Sequence, residues 1–527
     1  MGRSAGHDKP DIVIGSGPSG VAVASALLAR GRRVTMLDAG RRLGEAASER
    51  RDELGALEPA AHAPEMIAAY KRPQLGAPDG TIMRFGSRFA MEEPDATFAD
   101  PPPWIGVRSS RARGGLSNVW GSAVLPYRQQ DIADWPPEAR DLAPHYEAVA
   151  EFMPVAGRRD AVQELLPDFD MSGRRPLTES PQAGKILARL EKSRPRLNAL
   201  GVHAGAARQA VGEGCRLCGL CLYGCPYRLI FCASGTVGSL KANPAFDYVP
   251  GHRVVSVRED GESAAAACLL DGGGGREVVG RRVFLAAGVL ETTRIMLASF
   301  GKAEEELLLS DSHYALMPML GAGLSRPRPD RTRLHTLTQI FVEILSPEIS
   351  PYVIHSQLYT YNDFYAREMR GRYGRRVPFS RPLFEFLGRR LVVAQTFLHS
   401  AHSGRIGLRL ATGDGDNRLA ARFVENPDTV GIMRRAQRRL GAAMRSAGLF
   451  ALLPAVSHGQ PGSSFHCGST MPMRRSPSGW QSDPVGRPAG RGRVHVVDAS
   501  VLPTIPATTI TFGVMANAHR IGMAAPV

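Results

Sequence analysis

The sequence lacks long hydrophobic runs. No run of about eighteen or more apolar residues occurs among the 527 residues, so no membrane-spanning helix is predicted. The opening segment, MGRSAGHDKPDIVIG, has no apolar stretch before its first predicted strand, and we expect no signal peptide. Hydrophobic residues make up 43% and charged residues 22%, which is typical of a globular protein. A chain of this length is expected to form two or more domains.

Acidic residues are outnumbered by basic ones. The chain has 65 lysines and arginines against 50 aspartates and glutamates, a net charge of +15. The excess is mostly arginine and is spread without a nucleic-acid-binding motif, which argues against a nucleic-acid partner. We predict a solvated basic surface, with binding to acidic partners as the alternative.

Cysteines are few, and four of the seven lie in one stretch, GCRLCGLCLYGCP at 214–226. The spacing C-x2-C-x2-C-x3-C-P is that of bacterial iron–sulfur proteins. It predicts metal ligation, most simply of a 4Fe–4S cluster, by Cys215, Cys218, Cys221 and Cys225. Zinc is one alternative, although zinc sites usually draw paired cysteines from separate places, and a loop of reduced structural cysteines is the other. Clustered cysteines without a secretion signal also predict the reducing cytoplasm.

The fourth ligand of such a cluster is an open question. In two-cluster ferredoxins the fourth cysteine of the run binds the other cluster, but this chain has a single run. A four-cysteine cluster therefore needs either a fold-back by Cys225 or a ligand from elsewhere in the chain. The available cysteines are Cys232, Cys268 and Cys467.

A glycine-rich turn near the N-terminus predicts a dinucleotide site. An apolar strand, DIVIG, meets Gly15, Gly17 and Gly20, and an Ala- and Leu-rich helix then leads to a second strand that ends at Asp38. The glycines allow a tight turn, close approach to a pyrophosphate and close helix–strand packing, while the helix N-terminus favours phosphate. The acidic side chain lies where it can accept bonds from ribose hydroxyls. This unit alone does not separate NAD from FAD.

The remaining chain alternates between helical and strand-like segments. Residues 41–104 show little periodicity and suggest an excursion from the first sheet, whereas residues 131–204 are predicted to be mainly helical. Strand-like stretches at HRVVSVRED and CLLDGGGGREVVGRRVFLAAG follow the cysteine run. The block 301–454 mixes predicted strands with one helix beginning at TVGIMRRAQRRL, and an apolar helix, ITFGVMANAH, closes the chain.

Four blocks of sequence, taken together, point to a known family. They are GSGPSG with Asp38, GGLSNVWG at 114–121, VFLAAGVLETTRIMLAS at 283–299, and the pair SSFHCGSTMPM and VVDASVLPTIPATTIT. In this order they resemble the glucose–methanol–choline (GMC) family of FAD-dependent oxidoreductases, some of which carry a similar cysteine run. The block 301–454 matches only loosely.

The resemblance implies an α/β chain of two domains. One is a Rossmann-like FAD-binding domain, and the other is a substrate domain with a mainly antiparallel sheet and helices. The FAD-binding domain is expected to take residues 9–45, 105–130, 205–300 and 455–527, with the cysteine run at 215–225. The substrate domain is expected to take residues 46–104, 131–204 and 301–454.

The resemblance also implies which residues contact FAD at its adenosine end. Gly15, Gly17 and Gly20 are expected to cradle the pyrophosphate, and Asp38 to hold the adenosine ribose. The backbone of Val254 is expected at the adenine.

Five further positions are implied at the flavin end. Gly115, Ser117 and Asn118 are expected to line the flavin phosphates or ring, with Asp498 and Ala499 on the far side of the cofactor. Some relatives attach FAD through a histidine before the Trp of the GG-x-S loop. That position is Val119 here, so non-covalent FAD is expected.

His466, in SSFHCGSTMPM, matches the family's active-site histidine. Histidine suits removal of a hydroxyl proton because its ordinary pKa lies near neutrality. The family's second active-site position, a His or Asn, falls on Thr509, which cannot act as a base but can hydrogen-bond a substrate oxygen. Thr508 and Thr509 can equally be helix N-caps. His399 and His402 are weaker candidates for a lid or for substrate contact, and a surface or core role is an equal alternative.

The implied function is oxidation of a CH–OH group of a sugar, polyol or lipid-like alcohol by hydride transfer to FAD. A dehydrogenase that passes electrons to a protein or quinone is expected rather than an oxidase. The alternatives are transient flavin oxidation within a biosynthetic step, or an electron-transfer protein without net alcohol oxidation. An NAD-dependent dehydrogenase disagrees with the C-terminal blocks.

Overall fold

The computed structural model describes residues 9–71, 84–302, 304–322, 333–362, 386–413 and 415–526. The strands are β1 (Asp11–Ile14), β2 (Val34–Leu37), β3 (Val202–Ala206), β4 (Phe246–Val249), β5 (His252–Glu259), β6 (Ala264–Leu270), β7 (Gly275–Gly280), β8 (Val283–Leu285), β9 (Leu307–Asp311), β10 (Tyr314–Gly321), β11 (Ile340–Ser346), β12 (Ser350–Tyr359), β13 (Leu391–Phe397), β14 (Arg405–Leu410), β15 (Leu419–Val424), β16 (Leu449–Ala451), β17 (Ser457–His458), β18 (Cys467–Gly468) and β19 (Val494–Val496). The α-helices are α1 (Pro18–Ala29), α2 (Glu45–Ala56), α3 (Pro64–Lys71), α4 (Pro137–Arg140), α5 (Ala143–Ala150), α6 (Ala161–Leu165), α7 (Pro181–Lys192), α8 (Arg194–Ala199), α9 (Ala233–Leu240), α10 (Val289–Phe300), α11 (Thr429–Met444) and α12 (Ile510–Ala524).

A five-stranded parallel sheet carries the glycine-rich turn. Its order is β19–β8–β1–β2–β4. All four residues of β1 are buried, as is usual for a strand covered on both faces of a parallel sheet. α1 leaves β1 and packs against α12, where a Cβ at Gly522 would lie 2.7 Å from the Ala26 Cβ. The predicted strand–helix–strand unit is confirmed.

A seven-stranded antiparallel sheet forms the second large layer. Its order is β16–β10–β13–β12–β11–β3, with β17 also beside β10. Alternate residues such as Val342 and Ile354 pack one face against α7 and α11. On the other face Phe341 contacts Ala123 and Leu125, in the segment that follows the glycine-rich loop at 113–121. This second face, named the polar sheet face, therefore packs against the segment that follows the glycine-rich loop.

Two smaller antiparallel sheets complete the fold. They have the orders β15–β14–β9–β18 and β5–β6–β7. The predicted α/β class, a Rossmann-like domain plus a second, mainly antiparallel domain with helices, is confirmed. The assignment of individual segments to each domain stays a prediction.

Two helices, α2 and α3, were not predicted from the sequence. Both lie in the segment 41–104. The hydrophobic periodicity of α2 is weak because this helix buries only Ala47 and Leu54. The strands and the helix predicted in block 301–454 coincide with β11, β13, β14 and α11.

Among the described residues no helix combines the length and apolar character needed to cross a membrane.

Candidate active site

A deep cleft lies at the carboxyl ends of β1, β2 and β8. Its empty volume is about 1330 Å³. The walls come from the glycine-rich turn, residues 107–116, 252–254, 286–291 and 498–499, and the start of α12. Seven of the predicted cofactor residues line it, namely Gly15, Gly17, Asp38, Gly115, Val254, Asp498 and Ala499. Segments far apart in the chain thus meet where ligands usually bind in an open α/β sheet.

The three glycines of the turn have different structural roles. Gly15 has φ +98°, and a Cβ there would lie 2.5 Å from the carbonyl oxygen of Ala286. A Cβ at Gly20 would collide with the Gly15 carbonyl, so this glycine allows α1 to sit close to β1. Gly17 has no atom within 4 Å of its ideal Cβ and faces the cleft just before α1 begins. Only Gly17 leaves its space open for a ligand.

Asp38 ends β2 with its carboxylate buried beside the turn. The side chain is 7% exposed and accepts hydrogen bonds from the Ser16 hydroxyl and, at 2.9 Å, from the Tyr248 hydroxyl. Burial raises the pKa of Asp38 to about 6, although both hydrogen bonds lower it. Tyr248 comes from β4, 210 positions away in the sequence, and no local pattern pointed to it.

The glycine-rich loop at 113–121 is held against the turn. The Gly114 N–H donates to the Ser16 hydroxyl at 2.9 Å, and a Cβ at Gly115 would lie 3.3 Å from the Gly17 Cα. The side chains of Ser117 and Asn118 turn inward, where they bond the backbone of the loop and of Ala233. Neither residue lines the cleft, so the structure gives both a loop-holding role.

Asp498 and Val254 also have partners of their own. The carboxylate of Asp498 accepts bonds from the Gly288 N–H at 3.0 Å and from the Thr292 hydroxyl at 2.5 Å, at the start of α10. The carbonyl of Val254 accepts a bond from the buried Arg294 guanidinium at 3.0 Å. These contacts anchor β5, α10 and the 498–499 segment to one another along one wall of the cleft.

His466 stands just outside the cleft, between two residues, Phe465 and Cys467, that line it. Its ring stacks on Phe397 with centroids 4.7 Å apart, and its Nδ1 atom is buried without a hydrogen-bond partner. Burial, aided by the nearby His355, lowers the pKa of His466 to about 3. The imidazole is therefore neutral at physiological pH and can accept a proton, but it is a weaker base than an ordinary histidine.

One row of side chains crosses the polar sheet face beside His466. In register across β3, β11, β12, β13 and β10 stand His203, Glu343, His355, Phe397 and Tyr314. His355 Nδ1 lies 2.7 Å from Glu343 Oε1, and both residues are 0% exposed. The His355 ring stacks near Phe397, which also contacts His466. Because this row depends on strand register, no sequence motif revealed it.

Thr509 is the residue that precedes α12. It occupies the N-cap position, but its side chain makes no capping hydrogen bond. The Oγ1 atoms of Thr508 and Thr509 are both buried without a partner. Thr509 therefore does not cap α12 through its hydroxyl. The hydroxyls of Thr508 and Thr509 both lack a partner at the start of the helix.

The segment after β13 lies between Ser312, which bonds the His466 carbonyl, and Ile505, which precedes Thr508 and Thr509 in the chain. Ser312 donates its N–H to the His466 carbonyl and its hydroxyl to the Leu398 carbonyl. Two residues further on, the Ser400 N–H donates to the Ile505 carbonyl at 2.9 Å. Between them His399 is buried and stacks on Tyr352 at 3.8 Å. This packing gives His399 a structural partner.

The cysteine run lies apart from the cleft. None of its thiols lines the cleft, and Cys218 packs beside Leu54 of α2 and Tyr70 of α3. Burial raises the pKa of Cys218 to about 12 and that of Cys221 to about 11, and the nearby thiols add to the rise. The thiols of the run are thus close enough to interact electrostatically.

The donor set does not fit a metal as it is arranged. Within the described ranges no group of three or more His, Cys, Asp or Glu side chains could hold a metal ion. The distant cysteines are engaged elsewhere: Cys232 with Asn118, Cys467 with Asp311, and Cys268 within β6. No chemical step is assigned to an iron–sulfur cluster, and its presence stays a prediction.

Comparisons with known proteins agree with this geometry. Residues 13–73 match the family model of the NAD(P)-binding Rossmann-like domain. No curated protein gives a significant sequence match. The crystal structure of pyridoxine 4-oxidase from Mesorbium loti superposes with a TM-score of 0.61 over 98% of each chain, at 15% identity. At this identity the likeness establishes a shared fold.

Proposed function

We propose that the protein is an FAD-dependent oxidoreductase of the GMC type. In this proposal it oxidises the CH–OH group of a sugar, polyol or lipid-like alcohol. The observation that carries the proposal is the position of His466, whose ring stacks on Phe397 and which stands between two residues that line the dinucleotide cleft. The four family-like sequence blocks and the fold shared with pyridoxine 4-oxidase support it.

The residues of the cleft fit FAD. The open space at Gly17 suits a pyrophosphate, and the carboxylate of Asp38 suits the ribose. The cleft then extends to Ala499 and the start of α12, which gives room for a second ring system. FAD, when bound, supplies the hydride acceptor. We assign the hydroxyl proton of the substrate to Nε2 of His466, because Nδ1 is buried.

Anaerobic mixing of the FAD-loaded protein with one alcohol from each class tests the proposal. One class is expected to bleach the flavin absorbance. His466→Ala should slow bleaching by about 10²- to 10⁴-fold while FAD binding is retained, because a positioned base contributes that much. His458→Ala is the matched control, because His458 is exposed and does not line the cleft. The proposal fails if no alcohol bleaches the flavin.

Reoxidation of the bleached protein separates dehydrogenase from oxidase. We expect slow recovery in air and rapid recovery with a quinone or a one-electron protein acceptor. Fast recovery in air would instead make the protein an oxidase. Iron and sulfide analysis of the same anaerobic sample decides whether the cysteine run carries a cluster.

A second candidate is transient oxidation of a biosynthetic intermediate, or electron transfer without alcohol turnover. It is favoured by Thr509, which stands where the family has a His or Asn. Turnover without any external acceptor, or flavin reduction by a protein partner only, would support this candidate.

A further inference from the structure

A second pocket lies on the outside of the seven-stranded sheet, between α11 and the segment after β16. Arg434 and Arg438 are one helical turn apart on α11, and His458 of β17 faces them. Arg434 is close enough to help lower the pKa of His458. The pocket shares no lining residue with the dinucleotide cleft.

The charges in this pocket are not balanced. Across the described residues neither Arg434 nor Arg438 has a hydrogen bond or ion pair, and no carboxylate lines the pocket. Like charges at i and i+4 destabilise a helix. By contrast, Arg439 on the same helix is paired with Glu348 at 2.5 Å. The side chains of Arg434 and Arg438 are both exposed, so their unpaired charges are hydrated and accessible to an external anion.

Gln437 provides an independent sign of a missing ligand. This residue lines the pocket and is 4% exposed, yet its Nε2 atom is buried without a hydrogen-bond partner. A buried donor without an acceptor destabilises the folded state. An oxyanion in the pocket would accept from this amide and from both arginines.

The shape and rim of the pocket indicate the size of the ligand. The empty volume is about 700 Å³, part of which is open solvent, so a small molecule fits between α11 and the segment after β16. Apolar side chains flank the donors, since Val430 is 48% and Leu453 43% exposed. We propose that this pocket binds the phosphate group of a small organic phosphate, with Arg434, Arg438 and Gln437 as donors and the apolar rim against the organic part.

Calorimetric titration of the purified protein, with FAD in excess to occupy the cleft, tests the proposal. Phenyl phosphate and inorganic phosphate are the probes, at constant ionic strength. We expect saturable binding with one site per chain. Arg434→Gln with Arg438→Gln should weaken it at least tenfold, and Gln437→Leu several-fold.

Arg435→Gln is the matched control, because Arg435 is exposed on the same helix, carries the same charge and does not line the pocket. Its affinity should equal that of the unmodified protein. Absence of saturable binding at 10 mM of either probe, or an equal loss in Arg435→Gln, would overturn the proposal. Tighter binding of the ester than of inorganic phosphate identifies an organic ligand. Equal binding of the two overturns the role of the apolar rim and leaves a site for free phosphate.

Discussion

The dinucleotide cleft and the polar sheet face meet near His466, but they are built from different groups. At the cleft, Gly17 leaves open space for a ligand beside the backbone, and Gly115 approaches it closely. On the sheet face, the surface consists of side chains such as His355 and Glu343, held by strand register. Backbone surfaces suit a constant cofactor, whereas side chains change readily with the substrate. We therefore expect substitutions in the two regions to differ in their effects on the free energy of unfolding and on cofactor binding.

The largest effect is expected on the sheet face, from Glu343→Leu. His355 Nδ1 would lose its partner at a position where both residues are fully buried. Removing one member of a buried polar pair costs about 3 kcal/mol or more in the free energy of unfolding. Denaturant unfolding measures the loss.

Two further variants sharpen this test. Glu343→Gln keeps a hydrogen-bond acceptor and should lose about half as much stability. The double variant Glu343→Leu with His355→Phe removes both polar groups and should recover most of it. Equal stability of Glu343→Leu and the unmodified protein would contradict the buried pairing.

In the cleft, glycines should separate folding from cofactor binding. Gly20→Ala forces a Cβ against the Gly15 carbonyl and should cost about 2–3 kcal/mol of unfolding free energy. Gly17→Ala meets open space, so its unfolding free energy should change by less than about 1 kcal/mol. Its FAD affinity should nevertheless fall, because the new methyl group enters the cleft. Unfolding curves and FAD titration check both variants, and intact FAD affinity in Gly17→Ala would place the pyrophosphate elsewhere.

The difference between these regions also explains what could be predicted from sequence. The glycines and Asp38 lie within 24 residues, so their arrangement follows from local strand and helix geometry. The partner of Asp38, Tyr248, and the His355–Glu343 pair depend on which strands become neighbours and in what register. Those facts are set by the packing of the whole chain. The cysteine spacing predicted metal ligation, but the burial of Cys218 depends on its packing against α2 and α3, which the sequence pattern did not reveal.

In the absence of FAD, the free energy of unfolding should depend on pH through Asp38, a residue of the cleft. The folded pKa of Asp38, about 6, lies above the ordinary value of 3.8. Between about pH 4 and 6 the folded protein therefore binds more protons than the unfolded chain, and stability falls as pH rises. Asp38→Asn should reduce this fall by about 1–2 kcal/mol, as measured by unfolding at pH 4 and pH 7. Asp131, with its pKa also raised to about 6 by burial, keeps part of the slope in that variant. An unchanged slope would mean that Asp38 is ionised throughout.

The smallest effect is expected at Thr509, which directly precedes the cleft-lining start of α12. Its hydroxyl is buried without a partner, so Thr509→Val should raise the free energy of unfolding by about 1 kcal/mol in the absence of substrate. If the hydroxyl bonds the substrate oxygen, the same change should slow flavin reduction by about tenfold, so stability and activity move in opposite directions. Thr508→Val is the matched comparison, because its hydroxyl is equally buried and unpartnered. A rate loss in Thr508→Val alone would move the substrate contact by one residue. A gain in stability with no rate loss in either variant would make both hydroxyls bystanders and leave His466 as the sole polar group assigned to the reaction.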